Sequence, residues 1–435
     1  MLIFFRSFFL LPCDRSDRMC YSGHVLCSIY IFSFVLGDLA VTETILQQEK
    51  IGQAIRLLNE IHLDCWLLFV RETDEIPDPA LKLIVNHDLT WPSVFLLTRH
   101  GDRIAIVARY DDDLVRQSGL FTTVIGYVDN FASSLVETLT RLHPTSIALN
   151  YSIGDVAADG LTHGMYLQLV EALKGTPYPA CFVSSAPLIA RLRVRKTATE
   201  LALMREALKE TEALFALITS SLHPGITERE IGDLVHAEMK RRDLGAAWSY
   251  SSCPGVKFGP HTLFGHGAPT DIVLEPGFVA SIDLGVRYQG YCSDLQRLWY
   301  VRRGNEQTCS PVVQRAFDAV KGAIEAGKAL LRPGIQGWQV DEAARSYLVH
   351  AGYPEYQHAL GHSVGRHAHD GGPVLGPRWA RYGEMPYYPL EEGSIFTLEL
   401  GVMTEHGYVS QEDEVLITST GSEWFSQPQE AIYLI

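Results

Sequence analysis

The sequence is short of several things. It has no C-x-x-C pair: its eight cysteines stand at positions 13, 20, 27, 65, 181, 253, 292 and 309. That excludes a zinc ribbon and a thioredoxin-type redox site. A chain of 435 residues needs no disulfide staple, so the thiols read as scattered and reduced, as in a cytoplasmic protein. Basic residues are also scarce. Lys and Arg total 36 against 51 Asp and Glu, a net charge of −15. Neutralising phosphates needs clustered cations, so a nucleic-acid partner is excluded. No apolar run reaches the roughly 18 residues of a membrane-spanning helix. The two N-terminal blocks, Met1–Leu11 and Val25–Leu36, flank a polar stretch with Arg15 and Arg18. The second has the length of a signal h-region, but no small-x-small cleavage site follows it. Residues 1–40 are therefore expected to be a leader or a non-native extension, with no stable membrane insertion.

What is present is ordinary globular material. Apolar residues make up 47% and charged residues 20%, enough for a sizeable core. From Thr42 onward, helical spacing over Glu43–His62 is followed by strand-like runs at Cys65–Val70, Ser93–Thr98, Arg103–Val107 and Ser146–Asn150. Helical stretches at Phe131–Leu142 and Met165–Lys174 lie between or after them. Such alternation predicts a smaller α/β domain over residues 41–188. A basic stretch, Arg191–Lys196, opens a long helix ending near Ser221, and residues 189–435 form the second domain. Within it the outline repeats. Pro224-Gly225-Ile226 precedes a helix with the capping box Thr227-x-x-Glu230. Pro333-Gly334-Ile335 precedes a second helix, Val340–Ala351, and hydrophobic strand sequence follows each. The expected fold class is α+β, with a duplicated unit and a site between its halves.

Each half carries a pair of carboxylates. Phe278–Val286 and Tyr291–Val301 read as two strands around a polar turn, and the midpoint of Asp283 and Asp294 falls in that turn. Directly opposed, their Cβ atoms would lie about 4.5–5.5 Å apart on one face. In the second half Glu399 and Glu412 are centred on the turn Thr404–Gly407 in the same way. Two like charges so placed, among Val, Ile, Leu and Trp, require a shared proton or a cation. One such pair could be a solvated surface hairpin; two in equivalent places point to a site. Between them lies His358-Ala-Leu-Gly-His362-Ser-Val-Gly-Arg-His-Ala-His369. Four carboxylates and an imidazole suit two divalent ions such as Mn²⁺, Co²⁺, Fe²⁺ or Zn²⁺. Two ions about 3.5–4 Å apart can hold a bridging hydroxide and polarise a carbonyl.

From Thr42 to Ile435 this pattern resembles the pita-bread metallopeptidase superfamily, in its Xaa-Pro aminopeptidase, prolidase and creatinase branch. The resemblance implies a C-terminal pita-bread catalytic domain behind a creatinase-like N-terminal domain. It implies five metal ligands: Asp283 in IDLG as a terminal ligand, Asp294 in GYCSD as a bridge, His362 in GHSVG, Glu399 in TLELG, and Glu412 in QED as the second bridge. It implies Mn²⁺ as the first choice of metal, and a homodimer. It also implies non-ligand histidines near the substrate, matched by His266, His358 and His369, with His261 and His367 as weaker competitors. The metal-free creatinases lack the ligand set that is intact here. Two positions depart from the family pattern: Ser410 stands where Arg is common, and Leu400 where Pro is common.

The implied activity is hydrolysis of Xaa-Pro peptides or dipeptides by a metal-bridging hydroxide. Glu399 is the expected general base. His369 and His266 would hold the substrate carbonyl or the tetrahedral intermediate, and His358 would act near the leaving group. The rival readings are a same-fold hydrolase or lyase for a small non-peptide substrate, and a silent binding protein. Three look-alike motifs carry less. Gly361-x-Ser363-x-Gly365 mimics a nucleophile elbow but follows a poor buried strand. Gly322-x4-Gly327-Lys328 mimics a P-loop, yet Ala329 stands where Ser or Thr is needed. Asn150-Tyr-Ser152 is a glycosylation sequon only in a secreted chain.

Overall fold

The computed structural model describes residues 43–262, 265 and 267–435. The leader expected over residues 1–40 and the candidate His266 lie outside these. Among the described residues no helix is long and apolar enough to cross a membrane.

Helix α1, over residues 43–60, opens the first layer. Six strands follow: β1 (Cys65–Val70), β2 (Ser93–Thr98), β3 (Arg103–Ala108), β4 (Thr123–Tyr127), β5 (Ile147–Leu149) and β6 (Phe182–Ser184). They form one mixed sheet in the order β4-β3-β2-β1-β5-β6. Helices α2 (Asp112–Gln117), α3 (Ala132–Leu142), α4 (His163–Ala172) and α5 (Ala186–Val194) complete the layers. The period of two in β1 separates two cores. Trp66, Leu68 and Val70 pack with Leu57 and Leu58 of α1 and with Leu188 and Leu192 of α5. Cys65, Leu67 and Phe69 pack with Leu135 and Leu139 of α3 and Leu169 of α4. The core of this layer thus runs through α5 to Leu192. Asn150 is buried, and its side-chain amide donates to Asp78 at 2.9 and 3.1 Å, which shields the sequon.

The second part begins with α6 (Ala198–Ser221) and α7 (Glu228–Arg241) and repeats the pattern with α8 (Pro311–Lys328) and α9 (Gly337–His350). The duplication is visible in the backbone. Gly225 and Gly334 both have positive φ, +98° and +86°. The residues two further on, Thr227 and Gln336, each cap the next helix and each form an isolated antiparallel bridge, to Val273 and to Pro389. The P-loop look-alike lies inside α8.

The strands of this part are β7 (Gly245–Ala246), β8 (Gly255–Phe258), β9 (Val279–Leu284), β10 (Val286–Tyr288), β11 (Tyr291–Cys292), β12 (Leu295–Tyr300), β13 (Gly361–His362), β14 (Val374–Leu375), β15 (Ile395–Thr404), β16 (Gly407–Ile417), β17 (Ser422–Trp424) and β18 (Tyr433–Leu434). The main sheet runs β15-β16-β12-β9-β8, so the two hairpins meet side by side at β16 and β12. One pair of helices covers each hairpin. Ile231 and Val235 of α7 pack with Ile282 and Trp299. Phe317 and Val320 of α8 pack with Phe396, Leu398 and Val415. The opposite face of the sheet holds the carboxylates.

Candidate metal centre

The register places the four carboxylates. Glu399 of β15 pairs directly with Glu412 of β16, as expected from the turn between them. The first hairpin differs. Its two-residue turn is Gln289-Gly290, both with positive φ (+46° and +83°), and this moves the register by two positions. Asp283 therefore lies opposite Gln296, not Asp294. The slip is even, so Asp294 keeps the same face, and the carboxyls of Asp283 and Asp294 still act on each other's ionisation. Gln296 pairs in turn with Glu412. One lateral row thus crosses the sheet: Gly255, Asp283, Gln296, Glu412, Glu399. Gln296 is not singled out by the sequence because its place depends on which strands are neighbours.

His362 comes from β13, which lies against β15. Its backbone N–H donates to the Thr397 hydroxyl at 3.1 Å, and Glu399 donates its own N–H to the Leu360 carbonyl at 2.7 Å. The segment is pinned from below by a buried pair on α9. Asp341 accepts from the Leu360 N–H at 3.0 Å, and Arg345 donates to the His358 carbonyl at 2.8 Å. His362 Nε2 then lies 3.7 Å from Asp294 Oδ2 and 3.5 Å from Glu399 Oε1. Ligand atoms of Asp294, His362 and Glu412 all fall within 4.8 Å of one another. His369 sets its ring edge-on to that of His362, with centroids 4.2 Å apart. Its neighbour Asp370 is fixed by Arg193 at 2.6 Å and Lys196 at 3.1 Å. Burial opposes ionisation there, yet those two cations hold the Asp370 carboxyl below the usual range.

The four carboxylates behave in the opposite way. Burial pushes Asp283 up to about 7 against the pull of Lys257. Burial and the charge of Asp283 push Glu399 up to about 8. Asp294 and Glu412 are raised well above their ordinary values by burial and by the other carboxylates. Asp283 Oδ1 is buried with no hydrogen-bond partner among the described residues. Clustered, buried and half-buried oxygen donors with one orphaned oxygen form the donor set that hard or borderline divalent ions bind, and a buried unpaired carboxylate oxygen is costly without one.

The row forms the wall of a cleft with two adjoining lobes. One, of about 670 Å³, is lined by Pro79, Ala157, Trp248, Asp294, His367 and Glu412 among others. The second, of about 550 Å³, is lined by Lys257, Gln296, His358 and Tyr408 among others. Asp283, His362, His369 and Glu399 face both. Pro79, Val156 and Ala157 bring the N-terminal layer to the rim. His261 is exposed and lines neither lobe. Ser363 is buried, its hydroxyl has no partner among the described residues, and loop rather than helix follows it, so the elbow geometry is absent.

Residues 202–419 match the family model described as metallopeptidase family M24. An uncharacterized peptidase of Bacillus subtilis, YqhT, is 30% identical over 279 residues, covering 63% of this chain and 73% of that one. A Xaa-Pro dipeptidase of Pyrococcus horikoshii is 29% identical over 266 residues, or 61% and 71% of the two chains. In architecture, a Xaa-Pro dipeptidase from Bacillus anthracis superposes with a TM-score of 0.68 at 23% identity, covering 89% of this chain and 99% of that one. The matched segment spans both hairpins and both helix pairs of the duplicated unit. With its pita-bread architecture and half its length matched, the chain belongs to metallopeptidase family M24.

Proposed function

We propose that this metallopeptidase is a dinuclear exopeptidase that hydrolyses Xaa-Pro bonds. One observation carries the reading: two buried carboxylates, Asp294 and Glu412, two half-buried ones, Asp283 and Glu399, and His362 converge on one wall of a cleft that also receives His358 and His369. The likeness to a Xaa-Pro dipeptidase supports the substrate class. Asp283, Asp294, His362, Glu399 and Glu412 would hold two divalent ions, with Mn²⁺ the first to test. Bound there, the ions supply positive charge that acidifies a water and polarises a carbonyl.

The chain's own groups do the rest. Glu399, at the edge of the row and facing both lobes of the cleft, would take the proton of the attacking water. His369 projects into the cleft beside His362 and donates to the carbonyl oxygen as charge develops on it. His266 is assigned the same role. His358 is kept neutral by burial. Its Nδ1 lies 2.7 Å from the Ala359 carbonyl and donates to it, which leaves Nε2 as an acceptor that orients the departing nitrogen, and Glu399 passes the water's proton to that nitrogen as the bond breaks.

The test is direct. With Mn²⁺, Xaa-Pro substrates should be cleaved and peptides lacking that bond should not, and a chelator should abolish turnover reversibly. Activity that survives chelation and disappears in Ser363→Ala would sink this reading.

A further inference from the structure

The basic stretch Arg191–Lys196 runs from the last turns of α5 to the cap of α6, and each of its four cations meets one of two acids. Arg191 and Arg195 pair with Glu391, and Arg193 and Lys196 pair with Asp370. The first group is partly exposed and the second is buried. A buried charge cluster carries a desolvation cost, so its geometry has to be good. That of Arg193 is complete. Nη2 donates to Asp370 Oδ1 at 2.6 Å, Nε to the Asp370 carbonyl at 2.9 Å, and Nη1 to the Pro79 carbonyl at 3.1 Å. Lys196 donates to Asp370 Oδ2 at 3.1 Å and to the Arg193 carbonyl at 2.5 Å. Asp370 is therefore held by its side chain and by its backbone together.

Asp370 closes the loop between two histidines of the site. Its N–H donates to the Ser363 carbonyl at 2.9 Å, and its Oδ1 accepts from the His367 N–H at 3.3 Å. Each end of the closing bond stands next to one of those histidines: Ser363 follows His362, and Asp370 follows His369. The bond thus brings the two rings together, edge-on with centroids 4.2 Å apart. The inside of the loop is tight. A Cβ on Gly365 would lie 2.1 Å from Asp370 Oδ2 and 2.7 Å from Lys196 Nζ. Beyond Asp370 the chain continues into the lining of the second lobe, from Gly371 to Val374. Through Pro79 the same guanidinium reaches the rim of the first lobe.

We propose that Arg193 and Lys196 are positioning residues for the reaction: they hold Asp370, and through it they fix the His369 imidazole against His362. The proposal rests on the role given to His369 above. Arg193→Lys tests it, because it keeps the buried charge and removes the fork. In the full-length, Mn²⁺-loaded protein it should lower kcat on a Xaa-Pro dipeptide by about tenfold to a hundredfold, with KM and bound metal within about twofold. In a His369→Ala background the same substitution should cost less than about twofold. Arg195→Lys, which alters the Glu391 pair of the same stretch, should leave kcat within about twofold of the wild type. Equal losses from Arg193→Lys in both backgrounds overturn the proposal, and so does an equal loss in Arg195→Lys. Asp370→Asn, which keeps the shape of the acceptor, is the second variant and should show the same dependence on His369. The Cε1–H resonance of His369 gives a readout independent of turnover, in Zn²⁺-loaded, histidine-labelled protein, assigned from His369→Ala. Arg193→Lys and Asp370→Asn should each shift or broaden it and leave that of His358 in place. An unmoved His369 resonance overturns the proposal, as does movement of both resonances together. A His369 resonance that moves alone, in a protein that cleaves no Xaa-Pro substrate, sinks the peptidase reading and keeps the positioning role.

Discussion

The two carboxylate hairpins are built from similar sequence and folded differently. Ile-Asp283-Leu-Gly285-Val and Leu-Glu399-Leu-Gly401-Val place a carboxylate and a glycine two residues apart in both. The second hairpin is an unbroken ladder of ten pairs from Ile395 to Thr404, with its glutamates face to face. In the first, the ladder stops at Leu284–Leu295 and resumes at Arg287–Cys292, with Asp294 in the gap. The ladder of the second hairpin positions both of its carboxylates. The first hairpin holds only Asp283 that way, and Asp294 must be held by something else. The Asp294 N–H donates to the Glu414 carboxylate of β16 at 2.8 Å, so the regular hairpin supports the irregular one.

The sharpest way to break this picture is to remove one carboxylate from each hairpin. Asp294→Asn and Glu412→Gln should each lower turnover by at least about a hundredfold and reduce bound metal, read by elemental analysis. Comparable losses are expected because both side chains lie within reach of His362. If Asp294→Asn bound as much metal as the wild type, Asp294 would not be a ligand and the first hairpin would contribute Asp283 alone.

The paired glycines give the next largest effect, on stability. A Cβ on Gly285 would lie 2.1 Å from the Ser293 backbone oxygen and 2.8 Å from the Ala247 Cβ. A Cβ on Gly401 would meet the Tyr408 ring at 2.5 Å and the Ser410 Cβ at 2.6 Å. Backbone yields less readily than a ring, so Gly285→Ala should cost about 3 kcal/mol and Gly401→Ala less. Denaturant unfolding of the two variants measures the difference. The reverse order would mean that the gap in the first hairpin is the softer region.

A smaller effect concerns charge. Asp283 and Glu399 are raised to about 7 and about 8, far above an unfolded carboxyl near 4. Such groups favour the folded state at low pH, and that contribution is lost as pH rises through the raised values. Asp370 has the opposite shift, so its contribution is lost only in acid, below this window. Chelated protein should therefore lose a few degrees of Tm between about pH 6.5 and 9, and metal-loaded protein should not. Parallel pH profiles would show that the four carboxylates do not share a cation.

Local chemistry makes much of this legible in the sequence. Period two in Cys65–Val70, the Thr227 capping box and the Glu399–Glu412 turn are short-range features, and the structure shows each of them. The expected Asp283–Asp294 register fails because Gln289 adopts a positive φ beside Gly290, which side-chain pattern does not announce. The slip leaves the face unchanged, so Asp294 still reaches the row. Gln296, Lys257 and Glu414 are not legible because their importance comes from strands distant in sequence, and only the sheet order joins them. The span of the first core through Leu192 is hidden likewise, since the apolar face of α5 could serve either neighbour.

Glu414 sharpens the comparison with the smallest expected change. It is buried, and burial pushes its carboxyl up to about 8. Oε1 accepts from Asp294, and Oε2 has no partner among the described residues. Glu414→Gln keeps an amide oxygen as the acceptor and removes only the capacity to ionise. Metal affinity and turnover should then fall by no more than about tenfold. Glu414→Ala removes the acceptor, leaves a buried N–H unsatisfied at Asp294, and should cost more in both. If the glutamine and alanine variants were equally impaired, the charge and not the hydrogen bond would be what orders Asp294. If neither changed metal affinity, the first hairpin would hold Asp294 through its own backbone despite the gap at Gly285, and the dependence of one hairpin on the other would be absent.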